Sequence, residues 1–141
     1  MHTRIRAAAA GAAATLVWGA LEPLDRRVFG CDYSDVALLG KAFTRGPRWR
    51  LAGFVFHAVN GALFGVAFDA VRRRTRTPPP ALALRLALAE HVTLYPLAAL
   101  VDRYHPARGE PGIPPLLRNP RAFAQGAARH ALFGVVLGRL G

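Results

Sequence analysis

Apolar residues along this chain gather into four long blocks, and the charged and proline-rich residues fall between them. The blocks cover residues 7–21, 51–71, 81–101 and 122–140. A run of about 20 apolar residues has the length of a helix that crosses the hydrocarbon core of a bilayer. The pattern predicts four membrane-spanning helices and no strands. The first block is short and reaches spanning length only by continuing through Glu22, Pro23 and Leu24. Its basic start, Arg4 and Arg6, also resembles a signal peptide. Trp18 and Glu22-Pro23-Leu24-Asp25 make a poor cleavage region, so a retained helix is expected. The third block follows Pro78-Pro79-Pro80 and contains Pro96, which a membrane helix tolerates as a kink. The fourth starts after Asn119-Pro120, a cap residue followed by proline at the first helical position. In the gap 25–50, Ser34 is placed to cap a short helix that ends before Gly46-Pro47, with Val36, Leu39 and Phe43 on one face, lying either in the membrane interface or in an ordinary loop. The gap 102–121, with five prolines, is expected to be extended.

One offset of 73 residues aligns the two halves. Arg45, Pro47, Arg48, Gly53, His57, Gly61 and Gly65 match Arg118, Pro120, Arg121, Gly126, His130, Gly134 and Gly138, and Leu21, Pro23 and Leu24 match Leu94, Pro96 and Leu97. The expected fold is therefore an all-α, polytopic four-helix bundle. It is built from two tandem two-helix hairpins, 1–75 and 76–141, with a pseudo-twofold axis along the membrane normal. Within each half, glycines and one histidine recur every four residues and form one helical stripe. Gly53, Gly61, Gly65, Gly126, Gly134 and Gly138 are the expected packing positions, since small residues let helices approach closely in lipid.

Composition sharpens this picture. The chain has 141 residues, of which 52% are hydrophobic and 19% charged. That excludes extended disorder. Cys31 is the single cysteine, which excludes an internal disulfide. Net charge is +11, yet nearly all the Arg residues lie in the gaps, where they mark topology and contact anionic lipid. Nucleic acid is not an expected partner; the bilayer is, together with a second copy or another membrane protein. The side bearing 25–50 and 102–121 carries ten Lys and Arg and the other side seven, which places the first side in the cytoplasm.

The remaining polar residues sit inside the blocks, and ionisable groups at that depth mark function. Glu22, Glu90 and His91 are candidate acids or bases. His57 and His130 are repeat-equivalent and could hold a haem or, with His91, a transition metal. Asn60, Gln125 and Arg129 are expected to line a polar pocket, with Glu90 and Arg129 a candidate ion pair. The plain alternative for each histidine is a hydrogen-bonded core position. Asp25-Arg26 and Asp102-Arg103 are expected as interfacial ion pairs. No nucleotide loop, serine-nucleophile motif or C-x-x-C is present.

Trp18-Gly19-Ala20-Leu21-Glu22-Pro23-Leu24, the inward histidines of the second and fourth blocks, and Pro96 give a sequence that resembles the YagU-like inner-membrane proteins of bacteria. The resemblance implies a four-helix protein of the bacterial inner membrane and assigns no catalytic residues. Three functions stay open from the sequence. The first is a non-catalytic module that packs with a partner or passes protons or small solutes. The others are a haem or metal binder, and a membrane enzyme acting on a lipid or isoprenoid.

Overall fold

The computed structural model describes residues 2–141. Among them the chain is helical: α1 (His2–Phe29), α2 (Asp35–Phe43), α3 (Trp49–Arg72), α4 (Pro79–Leu94), a 3-10 turn (Tyr95–Leu97), α5 (Ala98–Tyr104) and α6 (Pro120–Leu140). Three stretches are long and apolar enough to cross a membrane: Arg4–Phe29, Trp49–Arg72 and Pro79–Tyr104. The fourth expected span forms α6 but falls outside this set. Its Arg121, Arg129, Arg139, Gln125 and His130 dilute its hydropathy.

The two repeat-matched prolines behave differently. Helix α1 runs unbroken through Pro23, whereas α4 gives way to the 3-10 turn at Pro96. Helix α1 ends in a glycine cap: Gly30 takes φ +58, and the Cys31 amide donates to the Arg26 carbonyl. This turn sends the chain back toward the interior. Ser34 then caps α2, its hydroxyl accepting from the Ala37 amide at 3.0 Å. Helix α2 is not a free loop helix. Its N-terminus docks on Glu22, about two turns inside the end of α1.

Close backbone contact explains which helices pair. A Cβ on Gly61 would lie 2.5 Å from the Gly11 carbonyl oxygen, and one on Gly65 2.1 Å from that of Ala7, so α3 lies directly on α1. On α6, a Cβ on Gly134 would meet the Leu84 Cα at 2.7 Å, and one on Gly138 the Pro80 Cα at 2.5 Å. Gly53 instead faces the Val36 carbonyl of α2, and Gly126 faces the His91 ring. Helix α1 also packs on α6, while α3 and α4 barely touch. Trp18, Phe68, Phe133, Leu137 and the alanines of α1 and α4 fill the interior around the α1, α4 and α6 contacts.

Candidate functional site: a buried arginine beside two neighbouring cavities

Arg129 is the centre of the polar interior, with 2% of its side chain exposed. Its Nε donates to Asp25 Oδ2 at 2.5 Å and its Nη2 to Asp25 Oδ1 at 2.6 Å, a two-pronged contact that the planar guanidinium favours. Nη1 donates to Asp35 Oδ2 at 2.7 Å, and Nη2 also reaches the Tyr33 carbonyl at 2.9 Å. Glu22 lies 3.6 Å away. One cation thus serves three carboxylates contributed by α1 and α2. The expected pairing of Arg129 with Glu90 does not form. Helix α2, packed against α1 and α3, delivers Asp35 to Arg129 first, and Glu90 instead lies 3.8 Å from His130 Nε2.

Two other expected pairs are replaced. Asp25 turns inward to Arg129, and Gln125 adds a 2.7 Å bond to it, so Asp25 is not an interfacial partner of Arg26. Arg26 pairs with Asp32. Asp102 accepts from the Leu116 and Leu117 amides, both at 2.8 Å, and so anchors the 105–119 segment where Arg103 was expected.

Glu22 is committed to α2. One oxygen accepts from the Ser34 hydroxyl at 2.5 Å, the other from the Asp35 and Val36 amides at 2.8 and 3.3 Å. A carboxylate on a helix N-terminus is stabilised by the free amides and the helix dipole. Asp35 is similarly surrounded. Burial alone would raise its pKa, but the Arg129 guanidinium and His57 outweigh burial and hold its carboxyl below the usual range. Tyr33 donates to Asp35 at 2.5 Å, and burial followed by the Asp35 charge pushes the Tyr33 hydroxyl well above its ordinary value.

Two cavities lie side by side next to this cluster. One, of about 270 Å³, is lined by Tyr33, Asp35 and Leu38 on one wall and by His91, Tyr95, Val101, Leu116, Gly126 and His130 on the others. The second, of about 150 Å³, lies deeper and is lined by Trp18, His57, Asn60, Phe64, Glu90 and Phe133. Asp35, Leu38, Leu94 and His130 line both. Glu90 and His91, adjacent in sequence, therefore face different cavities, as their 100° separation on a helix requires.

The histidines have distinct tasks. His91 is buried, its Nε2 bonded to the Phe123 carbonyl at 3.0 Å and its ring 4.8 Å from that of His130. His130 Nδ1 donates to the Gly126 carbonyl at 2.8 Å, which leaves Nε2 to face Glu90. His57 buries an Nε2 with no partner, and beside it the Trp18 Nε1 is unpartnered as well. The Trp18 indole lies against both His57 and His130, at 4.9 and 4.8 Å between ring centroids. The two histidines expected to share a haem or metal thus both pack on a tryptophan. Among the described residues no group of three or more His, Cys, Asp or Glu side chains is arranged to hold a metal ion.

Sequence reading missed Trp18, Ser34, Tyr33 and Asp35 as site residues. Trp18 carried a usable signal, because the 73-residue offset places it opposite His91. Asp35 carried none, since a helix N-terminus with Ser-Asp reads as a loop cap wherever it lies. No protein-family model, curated protein or solved structure matches this chain.

Proposed function

We propose that the chain is a non-catalytic module of the bacterial inner membrane, crossing it several times, which binds a small polar group in its intramembrane His/Glu pocket. The observation that carries this reading is a cavity between the helices lined by His57, Asn60, Glu90 and His130, with two buried ring nitrogens, Trp18 Nε1 and His57 Nε2, left without partners in its walls. A polar atom denied a partner in a low-dielectric interior costs several kcal/mol. A bound polar group or water relieves that cost. The apolar cluster of Phe68, Ala83, Ala87, Phe133 and Leu137 lies on the far side of the cavity and favours binding over passage through the membrane.

The reading includes a four-helix bundle of two duplicated hairpins, with α6 as the fourth span. Arg129 enters the interior with carboxylates around it, which lowers the cost of carrying α6 into the membrane. Contact pairs support the duplication. Gly61 on Gly11 and Gly65 on Ala7 correspond, 73 residues on, to Gly134 on Leu84 and Gly138 on Pro80. Trp18 against His57 corresponds to His91 against His130, at 4.9 and 4.8 Å. Kinship with the YagU-like proteins belongs to the same reading.

The test is thiol labelling in a Cys31→Ser background. A water-soluble cationic methanethiosulfonate should react with His130→Cys, at a position that lines both cavities, and not with Leu137→Cys in the dry cluster. Equal reaction, or none at either position, overturns the pocket. A second reading, an enzyme acting on a lipid or isoprenoid, draws on the Glu90–His130 pair as acid and base. Conversion of a supplied prenyl or acyl lipid that stops in Glu90→Gln would favour it.

A further inference from the structure

The acids of the interior gather toward the α2 end of the helices, and the other end carries the opposite charge. Gly65 meets Ala7 and Gly138 meets Pro80, so the start of α1, the end of α3, the start of α4 and the end of α6 lie together there. With the 73–78 turn, these segments hold eight arginines, and Asp69 is their one acidic side chain. Asp69 is 4% exposed and already engaged. It accepts from Arg72 Nη2 at 3.0 Å and from Arg73 Nε and Nη2 at 3.0 and 2.7 Å. Among the described residues Arg4, Arg6, Arg74, Arg76, Arg85 and Arg139 enter no ion pair. The helix dipole favours Arg139 at the end of α6, but Arg4 and Arg6 open α1, where the dipole opposes a cation and no acid offsets it. Arg85 is exposed within a membrane-length stretch, six residues or about 9 Å into α4. Helical side chains lean toward the helix N-terminus, which for Arg4, Arg6 and Arg85 is this end.

A cavity of about 170 Å³ lies among these helix ends, lined by Arg6, Ala7, Phe68, Asp69, Arg72 and Gly141. Asp69 holds Arg72 at the cavity with 37% of its side chain exposed, and Arg6 is exposed on the facing helix. We propose that this cavity seats the phosphate of an anionic phospholipid from the bordering leaflet, clasped between Arg6 of α1 and Arg72 of α3. Depth selects a lipid as the source. Arg72 is the last residue of its membrane-length stretch and Arg6 the third of its own, the level of the headgroups at the edge of the hydrocarbon core. Charge selects an anionic head. A guanidinium meets a phosphate through parallel hydrogen bonds, and the cation of a zwitterionic head would be set among unpaired arginines. Ile5 and Val71, beside the two arginines and exposed, offer the acyl chains an apolar surface. The site lies about 18 Å along α3 from His57 and is independent of the His/Glu pocket.

The test uses the full chain in dodecylmaltoside, with bound lipid counted by native mass spectrometry. Dioleoyl-phosphatidylglycerol, dioleoyl-phosphatidylcholine and inorganic phosphate are the probes. The expected result is saturable binding of one phosphatidylglycerol, at least tenfold tighter than phosphatidylcholine and not displaced by inorganic phosphate. Arg6→Gln should weaken it at least fivefold. Arg72→Lys, which keeps a partner for Asp69 but loses the planar fork, should do the same. Arg48→Gln removes an exposed arginine at the other end of α3 and should change the affinity less than twofold. Protection of the buried Cys31 from maleimide shows that each variant is folded. Equal binding of the two lipids, or indifference to both Arg6→Gln and Arg72→Lys, overturns the proposal. Displacement by inorganic phosphate overturns it in favour of a soluble anion. A loss in Arg48→Gln as large as in Arg6→Gln overturns it in favour of diffuse attraction to a basic chain.

Discussion

Replacing Arg129 with methionine should cost about 3–5 kcal/mol of stability, the range for removing one partner from a buried ion pair. The structure argues for the upper part of that range. Arg129 makes two bonds to Asp25, one to Asp35 and one to the Tyr33 carbonyl, all between 2.5 and 2.9 Å. Its loss strands two directly bonded carboxylates and brings a third, Glu22, closer to uncompensated charge. Methionine matches much of the volume, so little of the cost comes from a cavity. Arg129→Lys keeps the charge but not the planar fork, and should cost about 1–3 kcal/mol, the worth of one charge-assisted hydrogen bond. Adding Asp25→Asn to Arg129→Met should recover part of the loss, because it removes a stranded charge; a double-mutant cycle reads that coupling. The chain supplies its own reporter, since Cys31 is its single cysteine and is buried. Denaturation in detergent, followed by reaction of Cys31 with a maleimide dye, gives the stability of each variant. Arg129→Met within about 1 kcal/mol of the parent, or no recovery with Asp25→Asn, would refute the reasoning that charge compensation holds α1, α2 and α6 together.

Three further outcomes are expected. Gly61→Leu and Gly134→Leu should each destabilise the protein by at least ~2 kcal/mol more than Ala62→Leu and Val135→Leu, because a Cβ at either glycine already falls 2.5–2.7 Å from a backbone atom of the facing helix; equal melting of all four variants by the Cys31 assay would contradict the packing. Ser34→Ala removes both the α2 cap and a 2.5 Å bond to Glu22 and should cost about 1–2 kcal/mol, seen as faster hydrogen exchange at the Ala37 amide; unchanged exchange would show that Ser34 does not hold α2. Glu110 accepts from Lys41 and Arg45, and its hydrogen bond to Lys41 leads in holding its carboxyl below the ordinary 4.5. Its strap across α2 should be complete above that value and lost as the pH falls through the lowered one. Lys41 lies 5.1 Å from the Trp49 ring, so Trp49 emission should shift in acid, and Glu110→Gln should show the shifted emission at neutral pH.

Much of the helical layout was legible in the residues. Membrane-length apolar runs predicted α1, α3, α4 and α6, and Ser34 predicted α2 to within a residue of its start. These features are local: a run of Ala, Leu and Val can satisfy its backbone in lipid only as helix, and a serine ahead of an apolar turn caps it. The interior placement of His57 was legible as well, because a polar side chain on a glycine stripe faces the neighbouring helix, and that of His91 and Arg129 because an ionisable group inside an apolar run is costly against lipid.

Which polar groups meet was not legible. Asp25 next to Arg26 and Asp102 next to Arg103 read as neighbouring ion pairs, yet both acids turn to partners far along the chain. Helix geometry separates adjacent side chains by about 100°, so sequence neighbours rarely share a face. The decisive element is α2. Its existence follows from nine residues and a serine cap, but its depth follows from the Gly30 turn, the Glu22 carboxylate and the close contact of Gly40 and Gly53 with facing backbone. That depth carries Asp35 to Arg129, leaves Glu90 facing His130, and sets Leu38 and Leu39 into the cavity walls. By itself the sequence determined which segments become helices and which of their faces turn inward, because those depend on residues within a turn or two of one another. Only the tertiary structure decided the partners of each buried charge and the shape of the cavity between them, because hydrogen bonds reach about 3 Å and depend on how far one helix is inserted beside another.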